Sequence, residues 1–539
     1  MLASFTIALL GTLPTAPLAD LFVDAAANCL NGTGSAASPF CTIGEALAVA
    51  VSGDVIRIAP GTYPEELTVN TDVQLLAQGA PGSVVLDGQS SRNLLTVESG
   101  ATVTVSGLWL KNASGSGSNA KGNVVNRGGL TLRNSTISNS RMNGCCGRAI
   151  IFDEPGSQGL AFEQCTVRNN YINGSSASVI RSYGTAGLTI RNSSVIDNYA
   201  YVGPTIRAGL APVLIEGSFF ESSSYQTGAA IQARDADLAL RNTTITGTRT
   251  TALNVSGNSG YQLIENSTLT NDGTSIRVSG TSVPRVRGSV LGAAASFSAS
   301  VSVTGTFLSL GYNLVERADP TSSGFVDGVL GDQVGSISQP IDPMLDAAAD
   351  HGGPTRSRLP LPGSPAIDAG HPTDFLSFDQ NGFPRALGGS DIGATELPVG
   401  LIVICTSVPN STGDIARLRI TGSGDLSRNA FELFVDRVPP GMTGLFLNAN
   451  AQGFVANPGG STGNLCLGGA IGRFVGPGQV QTSGAEGQLR LRVDLTAIPQ
   501  GAGTVAAMAG QGWVFQSWFR DTALGVATSN FSTAKGLFF

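Results

Sequence analysis

The sequence has little of the material from which most catalytic and metal sites are built. Only two histidines occur in 539 residues, His351 and His371, so histidine-based metal sites and catalytic triads have few residues to draw on. Lysine occurs three times, at Lys111, Lys121 and Lys535, and charged residues make up only 13% of the chain. The net charge of −7 argues against nucleic acid or anionic lipid as a partner.

Long apolar runs are also missing after the N-terminus, where no stretch approaches the roughly 18 residues of a transmembrane span. The first residues, MLASFTIALLGTLPTAPLAD, contain an apolar run from Leu2 to Leu13 that is followed by small residues up to Ala19. This pattern resembles a signal peptide over residues 1–19, although the usual basic residues are absent, and the alternative is a first buried strand. We therefore expect a secreted or cell-surface protein in an oxidising environment.

Seven cysteines are present, and in an oxidising environment they are candidates for disulfides. Cys29 and Cys41 flank one short Gly/Ser loop, which predicts that they pair. Cys405 and Cys466 both lie in the C-terminal region and are predicted to form a second bridge. The others depend on the fold: a vicinal bridge between Cys145 and Cys146 stays open, and we expect Cys165 to be a buried free thiol.

What the chain does have is repetition. One phrase of two short strands around a bend returns at intervals of 24 to 30 residues, starting at Leu130, Leu160, Leu188, Val213, Leu238 and Gln262. A repeat of this length indicates a solenoid, and the alternation of apolar and polar residues within each phrase indicates strands rather than helices. Gln262 is an unfavourable residue for an inward position, so the register of that coil is approximate.

Two positions at the bend of each repeat have a restricted composition. The first is usually asparagine, which tolerates the left-handed conformation, and we expect these side chains to stack inside the turn: Asn134, Gln164, Asn192, Gly217, Asn242 and Asn266. The second is always small, which predicts an inward stack of Ser135, Cys165, Ser193, Ser218, Thr243 and Ser267.

A third strand completes each coil and predicts a three-faced parallel β-helix with apolar residues inside. It is read at residues 147–151, 177–181, 203–207, 228–232 and 250–254. The chain resembles right-handed parallel β-helix proteins of the pectate-lyase-like superfamily, and its stretch GDVIRIAPGTYPEELTV (Gly53–Val69) is similar to the usual first coil of that family. The resemblance implies an all-β solenoid over residues 20–397.

Two further segments carry more specific resemblances. Residues 363–397, GSPAIDAGHPTDFLSFDQNGFPRALGGSDIGATEL, resemble the closing motif of bacterial choice-of-anchor Q surface proteins, here taken as residues 340–397. In it we expect a structural role for both histidines and for Asp368, Asp379, Asp391, Glu396 and Arg385, which would tie down the last coil. Residues 398–539 resemble a C-terminal module of secreted planctomycete-type proteins, predicted to be a β-sandwich with Trp513 in its core.

The outward positions of the third strand supply the candidate binding residues. They are predicted to form two rows, the first with Ile151, Arg181, Arg207, Gln232 and Asn254, the second with Asp153, Tyr183, Gly209, Arg234 and Ser256. In the resembling lyases this sheet lines the substrate cleft, and guanidinium groups pair well with carboxylates, so an acidic polysaccharide is the expected ligand. The alternative is a solvated face whose arginines are shielded by Asp153 and Asp235.

Signs of catalysis are few. A calcium-dependent lyase would need clustered carboxylates, for which only Asp153, Glu154, Asp197, Asp235 and Asp237 are available, with Arg181 or Arg207 as the base. No motif fixes such a cluster, so no cofactor is expected. The function predicted from the sequence is non-catalytic binding of a polysaccharide or cell-surface component; the alternative is a polysaccharide lyase or glycoside hydrolase acting on an acidic polysaccharide.

Overall fold

The structure is a computed structural model. It describes residues 20–27, 29, 32–115, 122–143, 148–174, 177–222, 228–247, 251–271, 273–293, 302–385, 389–397, 402–423, 425–501 and 503–539. The expected signal peptide, residues 1–19, and the open question of Cys145 and Cys146 lie outside these residues.

The first face of the solenoid is a sheet of parallel strands in which each strand belongs to a different coil. Its pairing joins Leu130 to Leu160, Leu188, Val213, Leu238 and Gln262 in turn, which is the register predicted from the repeat. Gln262 is buried there because its Nε2 donates to the carbonyls of Ala236 and Ser259. The strands are Asp20–Val23, Asp54–Ile58, Val73–Ala77, Thr102–Ser106, Gly129–Arg133, Leu160–Glu163, Leu188–Arg191, Val213–Glu216, Leu238–Arg241, Gln262–Glu265, Arg285–Arg287 and Leu308–Ser309.

The second face follows each bend and is also parallel throughout. Its strands are Gly61–Tyr63, Val84–Asp87, Leu108–Lys111, Thr136–Ser138, Thr166–Arg168, Ser194–Ala200, Phe219–Ser222, Thr244–Thr246, Thr268–Asn271, Val290–Ala293, Leu314–Ala318 and Gln333–Ser336. A short extra row widens one edge with Ser114–Gly115, Arg141–Asn143 and Tyr171–Asn173, so some coils turn twice before the third face begins.

The third face completes the parallel β-solenoid predicted from the sequence. Apolar side chains from all three faces form one continuous core along the solenoid. The strands of this face are Leu67–Val69, Leu95–Val97, Gly122–Asn126, Ala149–Asp153, Ser178–Ser182, Ile206–Gly209, Ile231–Arg234, Thr251–Gly257, Thr274–Gly280 and Val303–Thr304. The α-helix Ile43–Val49 packs on the first coils, beside the predicted Cys29–Cys41 disulfide.

Two successive residues form the bend after each first-face strand, one with a left-handed backbone and the next with a small side chain. The asparagine position is left-handed as predicted, with φ between 43° and 60° at Asn134, Gln164, Asn192, Gly217, Asn242 and Asn266. The expected inward asparagine stack is wrong: Asn134 is exposed and Asn192 half-buried, and Asn242 is buried only beneath the closing segment, where its Nδ2 donates to the Phe378 carbonyl at 2.7 Å. The left-handed residue thus faces outward, and the next residue faces the core.

The small residues after the asparagines form the inward stack. Each hydroxyl accepts a hydrogen bond from the backbone N–H one coil below, as Ser193 N donates to Ser218 Oγ at 3.2 Å and Thr243 N to Ser267 Oγ at 3.3 Å. Cys165 takes one place in this stack as a buried free thiol, as predicted, and burial raises its pKa to about 11. A larger side chain has no room there because the coils are packed at sheet spacing.

The closing segment, residues 340–397, lies along the side of the solenoid and also contacts its last coils, where Gln333 Nε2 donates to the Pro365 carbonyl at 2.8 Å. Its hydrogen bonds reach the bend in four coils, at Gly217, Asn242, Thr268 and Gly288. Arg385 is fully buried and donates to Glu396 Oε1 at 2.6 Å and to Asn242 Oδ1 at 3.2 Å. The predicted partners are therefore real, but they fasten the segment against the corner of the middle coils.

The C-terminal region consists of antiparallel sheets that pack face to face, as predicted for a β-sandwich. Trp513 and Phe515 lie in the shared core, and the Phe431 and Phe515 rings are 5.5 Å apart. The predicted bridge joins Cys405 to Cys466. The strands are Ile402–Cys405, Arg417–Gly422, Phe431–Asp436, Thr443–Ala456, Asn464–Arg473, Gln481–Thr482, Leu489–Val493, Ile498–Gln500, Gly503–Val505, Gly512–Ala523, Val526–Phe531 and Ala534–Phe538; short 3₁₀ turns are at Val329–Gly331, Leu426–Arg428 and Pro458–Gly460.

Candidate binding face on the third sheet

The outer surface of the third sheet carries one row of residues in direct register. Strand pairing places five side chains one coil apart, and we call them the arginine row: Arg181, Arg207, Gln232, Asn254 and Arg277. Adjacent parallel strands are about 4.8 Å apart, so each residue lies directly above the next. Arg277 was missed in the sequence, although its strand Thr274–Gly280 continues the same repeat by one coil.

In the coil before Arg181, the residue predicted to belong to the arginine row is not the one that the structure places there. The partner of Arg181 is Phe152, whereas Ile151 pairs with Ile180 and is buried in the core. Asp153 is fully buried as well, so placing it on the exposed surface was wrong. A shift of one residue moves a side chain to the other side of a sheet. Nothing in the sequence GRAII, residues 147–151, indicates this shift.

Asp153 has a structural role in the buried corner. Its carboxylate accepts hydrogen bonds from Asn126 Nδ2 at 2.7 Å, Ser182 Oγ at 2.6 Å and Gly184 N at 3.1 Å. Ser157 Oγ donates a fourth at 2.5 Å. With this many donors the charge is compensated locally, and Asp153 shields none of the arginines of the row.

Tyr183 lies beside the two consecutive arginines. The Arg181 NH2 group donates to the Tyr183 hydroxyl at 3.1 Å, and its guanidinium lies 5.1 Å from the ring centre. Burial, and then the adjacent charge of Arg181, lower the pKa of Arg207. Two like charges on neighbouring strands repel each other. An anion bound between Arg181 and Arg207 would reduce this repulsion.

Polar atoms of the row also have hydrogen-bonding capacity left. The Arg207 Nε and the Asn254 Oδ1 are buried atoms without a hydrogen-bond partner among the described residues. Arg277 is exposed, and within the described ranges no carboxylate pairs with either Arg207 or Arg277. A buried polar atom that makes no hydrogen bond is costly, which makes this surface suited to a polar ligand.

The second row, two residues further along each strand, is more weakly charged. Arg234 is highly exposed and lies 3.6 Å from Asp235, while Gly209 and Ser256 are its strand neighbours. Asp235 itself accepts from the backbone of Asn258, which lowers its pKa. Arg234 is therefore largely compensated and is the weakest of the predicted binding arginines.

The carboxylates considered for a calcium site are not brought together. Glu154 lies 3.5 Å from Arg127, Asp237 accepts from Tyr261 N, and Asp197 lies in a left-handed bend of the second sheet. In the part of the chain that the structure describes, no three histidine, cysteine or acidic residues are grouped as metal ligands. These residues give the calcium hypothesis no support.

The first sheet has an entirely different charge pattern on its outer surface. At the last position before the bend, arginine and glutamate alternate from coil to coil, and we call this set the alternating column: Arg133, Glu163, Arg191, Glu216, Arg241, Glu265 and Arg287. Its ion pairs include Arg133–Glu163 at 2.7 Å, Arg191–Glu216 at 3.3 Å and Arg241–Glu265 at 3.2 Å. Arginine in the alternating column thus has a carboxylate one coil away, whereas the ion pairs of the described residues include none for Arg207 or Arg277.

The histidines and the remaining tryptophans have ordinary structural surroundings. His351 lies 2.9 Å from Asp346, and His371 Nδ1 accepts from the backbone of Asp374. Trp518 packs on the outer core of the sandwich, on the opposite side of its strand from Trp513. Among the described residues no helix is long and apolar enough to cross a membrane.

Comparisons with family models and with solved structures find proteins that this chain is similar to. Residues 27–207 match a family model described as "Protein of unknown function (DUF1565)". No curated protein matches the sequence. The chain is similar to XylC in its complex with xylose, at 12% identity over 62% of this chain and 88% of that one, with a TM-score of 0.39.

Two lyases are also among the similar structures. The pectate lyase Pel9A is 14% identical, with 70% of this chain and 96% of that chain covered and a TM-score of 0.38. The alginate lyase AlyGC is 14% identical over 70% of this chain and 58% of that chain, with a TM-score of 0.30. Likeness at this level concerns the fold, and the parallel β-solenoid of this protein is established by its own strand register.

Proposed function

We propose that this protein is exported and binds an acidic polysaccharide, without catalysis, along the arginine row of the third sheet. One observation carries the proposal: the arginines of the alternating column are paired with glutamates one coil away, whereas Arg207 and Arg277 have no carboxylate partner among the described residues. A ligand carboxylate would take the place that glutamate has in the alternating column.

The spacing of the row fits a linear ligand. A solenoid presents equivalent positions at the strand spacing of about 4.8 Å, and an extended polysaccharide repeats at about 5 Å per sugar. Each exposed contact contributes only about 0.2–1 kcal/mol, so affinity comes from several contacts made together. Gln232 and Asn254, between the charged residues, supply amide groups for sugar hydroxyls.

The test is a titration of the purified protein with polygalacturonate and with a neutral glucan of similar length. We expect binding of the acidic polymer at low ionic strength that weakens steeply as salt is added, because exposed charge pairs are screened. The neutral glucan should bind far more weakly. Equal binding of both polymers, or no binding of the acidic one at low salt, would contradict the proposal.

A polysaccharide lyase remains the second candidate, because three polar side chains converge on the row. Arg181 donates to the Tyr183 hydroxyl at 3.1 Å and Arg207 lies on the neighbouring strand, so one hydroxyl and two cations are available for acid–base chemistry on a bound acidic sugar. Incubation with acidic polysaccharides would then release unsaturated products, and Tyr183→Phe would abolish them while binding persists. Absence of such products across a panel of acidic polysaccharides removes this candidate.

Export is supported by the two disulfides, since bridges of this kind persist in oxidising compartments. The resemblances of the closing segment to choice-of-anchor Q proteins and of the sandwich to planctomycete-type secreted modules belong to the same proposal. Mass spectrometry of protein from the culture medium should find an N-terminus near Asp20. Recovery of the intact chain, with Met1, from the cytoplasm would contradict export.

A further inference from the structure

A crevice of about 370 Å³ separates the closing segment from the sandwich, far from the arginine row in the fold. Its wall on the closing segment is formed by His351, Gly352 and Phe383, and its wall on the sandwich includes Ile415, Arg417, Arg419 and Lys535. Cavities of a few hundred Å³ accept ligands from the size of a single sugar upward.

The crevice has an excess of positive charge. Its wall contains three cations, and the carboxylate that pairs with one of them is Asp436, 3.0 Å from Arg419. Arg417 is the strand neighbour of Asp436, but that carboxylate is engaged by Arg419. His351 is already paired with Asp346, so two cations, Arg417 and Lys535, have no acidic partner among the described residues.

Lys535 is the less exposed of these two cations. Its strand is paired on both sides, to Val403 and to Phe515, which fixes the backbone that carries it beside the crevice. Burial, and then the charge of Arg419, lower the pKa of Lys535. An ammonium group held in this way gains more from an incoming anion than an ordinary surface lysine does.

Part of the remaining wall of the crevice is apolar. Phe383 contributes to it, with the Arg419 guanidinium 4.7 Å from its ring centre, and so does the half-buried Ile415. A bare inorganic ion would leave these surfaces exposed to water. A ligand with a carboxylate at one end and a ring-sized body at the other would contact both kinds of wall.

We propose that this crevice binds a small organic carboxylate of monosaccharide size, with its anion held by Lys535 and Arg417 and its body against Phe383 and Ile415. This site is independent of the arginine row. Because the ligand would touch both the closing segment and the sandwich, it would also stabilise their contact.

The test compares glucuronate with glucose, two probes that differ only in the carboxylate, by calorimetric titration of the full chain at low salt. We expect saturable binding of glucuronate that is about tenfold stronger than that of glucose. Lys535→Gln and, separately, Arg417→Gln should each weaken glucuronate binding by about tenfold. The matched controls Lys111→Gln and Arg133→Gln, both outside the crevice and outside the arginine row, should leave it unchanged.

A second readout follows from the scarcity of lysine. Acetylation of the protein followed by peptide mass spectrometry reports separately on Lys535 and on Lys111, which lies 3.8 Å from Asp87. Saturating glucuronate should slow acetylation of Lys535 and leave Lys111 unaffected. Failure of glucuronate to bind, or glucuronate binding that stays unchanged in both Lys535→Gln and Arg417→Gln, would overturn the crevice site.

Discussion

Two faces of the same solenoid treat arginine in opposite ways. On the first sheet, the alternating column places a glutamate beside each of Arg133, Arg191 and Arg241. On the third sheet, Arg207 follows Arg181 directly and Arg277 has no carboxylate neighbour among the described residues. Both faces belong to the same coils and enclose the same core, so core packing alone does not account for the difference.

The comparison distinguishes charged residues that stabilise the fold by pairing from charged residues that are candidates for ligand binding. A parallel sheet stacks identical positions directly above one another, so like charges in one column repel and opposite charges attract. The alternating column satisfies this rule at no cost. The arginine row violates it, and a local violation of a physical rule is a reason to expect a ligand at that place.

The largest expected effect concerns the core that both faces share. Ile190 is fully buried on the strand that also carries Arg191. Ile190→Ala should lower the free energy of unfolding by about 2–5 kcal/mol because it leaves a cavity between coils. Arg191→Gln, one residue away, should change it by less than about 1 kcal/mol. Chemical denaturation of both variants measures the difference; equal losses would contradict the inward and outward assignment.

A third treatment of charge is found under the closing segment, where Arg385 is buried with several carboxylates. Burial raises the pKa of Asp379 to about 6 and that of Asp391 to about 7, and it also raises the pKa of Glu396, because one guanidinium cannot compensate all three. In the unfolded chain these groups titrate near 4. The folded protein therefore binds more protons between about pH 4 and 7, and stability falls as the pH rises through that range.

Thermal unfolding between pH 5 and 8 tests whether stability decreases with pH as expected. We expect the wild-type melting temperature to decrease with pH over this range. Glu396→Gln keeps the oxygen that accepts from Arg385 and removes one titrating group, so its melting temperature should depend less on pH. A wild-type melting temperature that rises over the same range would contradict the buried proton.

A smaller effect is expected in the hydroxyl stack at the bend. Ser218 Oγ accepts from Ser193 N at 3.2 Å and donates to the carbonyl of Glu216 at 2.8 Å. Ser218→Ala should cost about 1–2 kcal/mol, since a buried N–H loses its acceptor. Asn192→Ala should cost less, because that side chain is half-buried and water replaces part of what it loses. Denaturation curves that rank the two variants in the reverse order would contradict the stack.

The smallest expected change in the free energy of unfolding differs in direction between the two faces. Arg191→Met removes a charge that is paired with Glu216 and should lower the free energy of unfolding by about 0.2–1 kcal/mol. Arg207→Met keeps most of the buried stem and removes a charge that repels Arg181, so stability should stay unchanged or rise. Denaturation at low salt shows the contrast most clearly; a loss at Arg207 as large as at Arg191 would mean that Arg207 is structurally paired.

Much of the architecture could be predicted from the repeat alone. The alternation of apolar residues predicted the strand register through Gln262, and the positions of the cysteines, around one short loop and within the C-terminal region, predicted both bridges. The course of the closing segment could not be predicted, because its contacts to Asn242 and Thr268 span more than 120 residues and have no local signal. Asp153 was placed on the wrong side of its strand because a one-residue change of register in a short strand cannot be recognised from residue composition.

The alternating column, by contrast, was present in the sequence and was overlooked. The residue before each bend reads R, E, R, E, R, E, R from Arg133 to Arg287 once the repeats are aligned. Its comparison with the third strand, where no such alternation occurs, would have identified the arginine row as exceptional. Arg277 would have been found by continuing the same alignment for one more coil.

The most direct test of the central claim removes the same charge from the two faces. Arg207→Gln with Arg277→Gln and Arg133→Gln with Arg191→Gln each remove two positive charges from the same solenoid. Polygalacturonate binding at low salt should weaken by about tenfold or more in the third-sheet variant and change little in the first-sheet variant. Equal weakening in both would show that only net charge matters and would contradict a binding site on the arginine row.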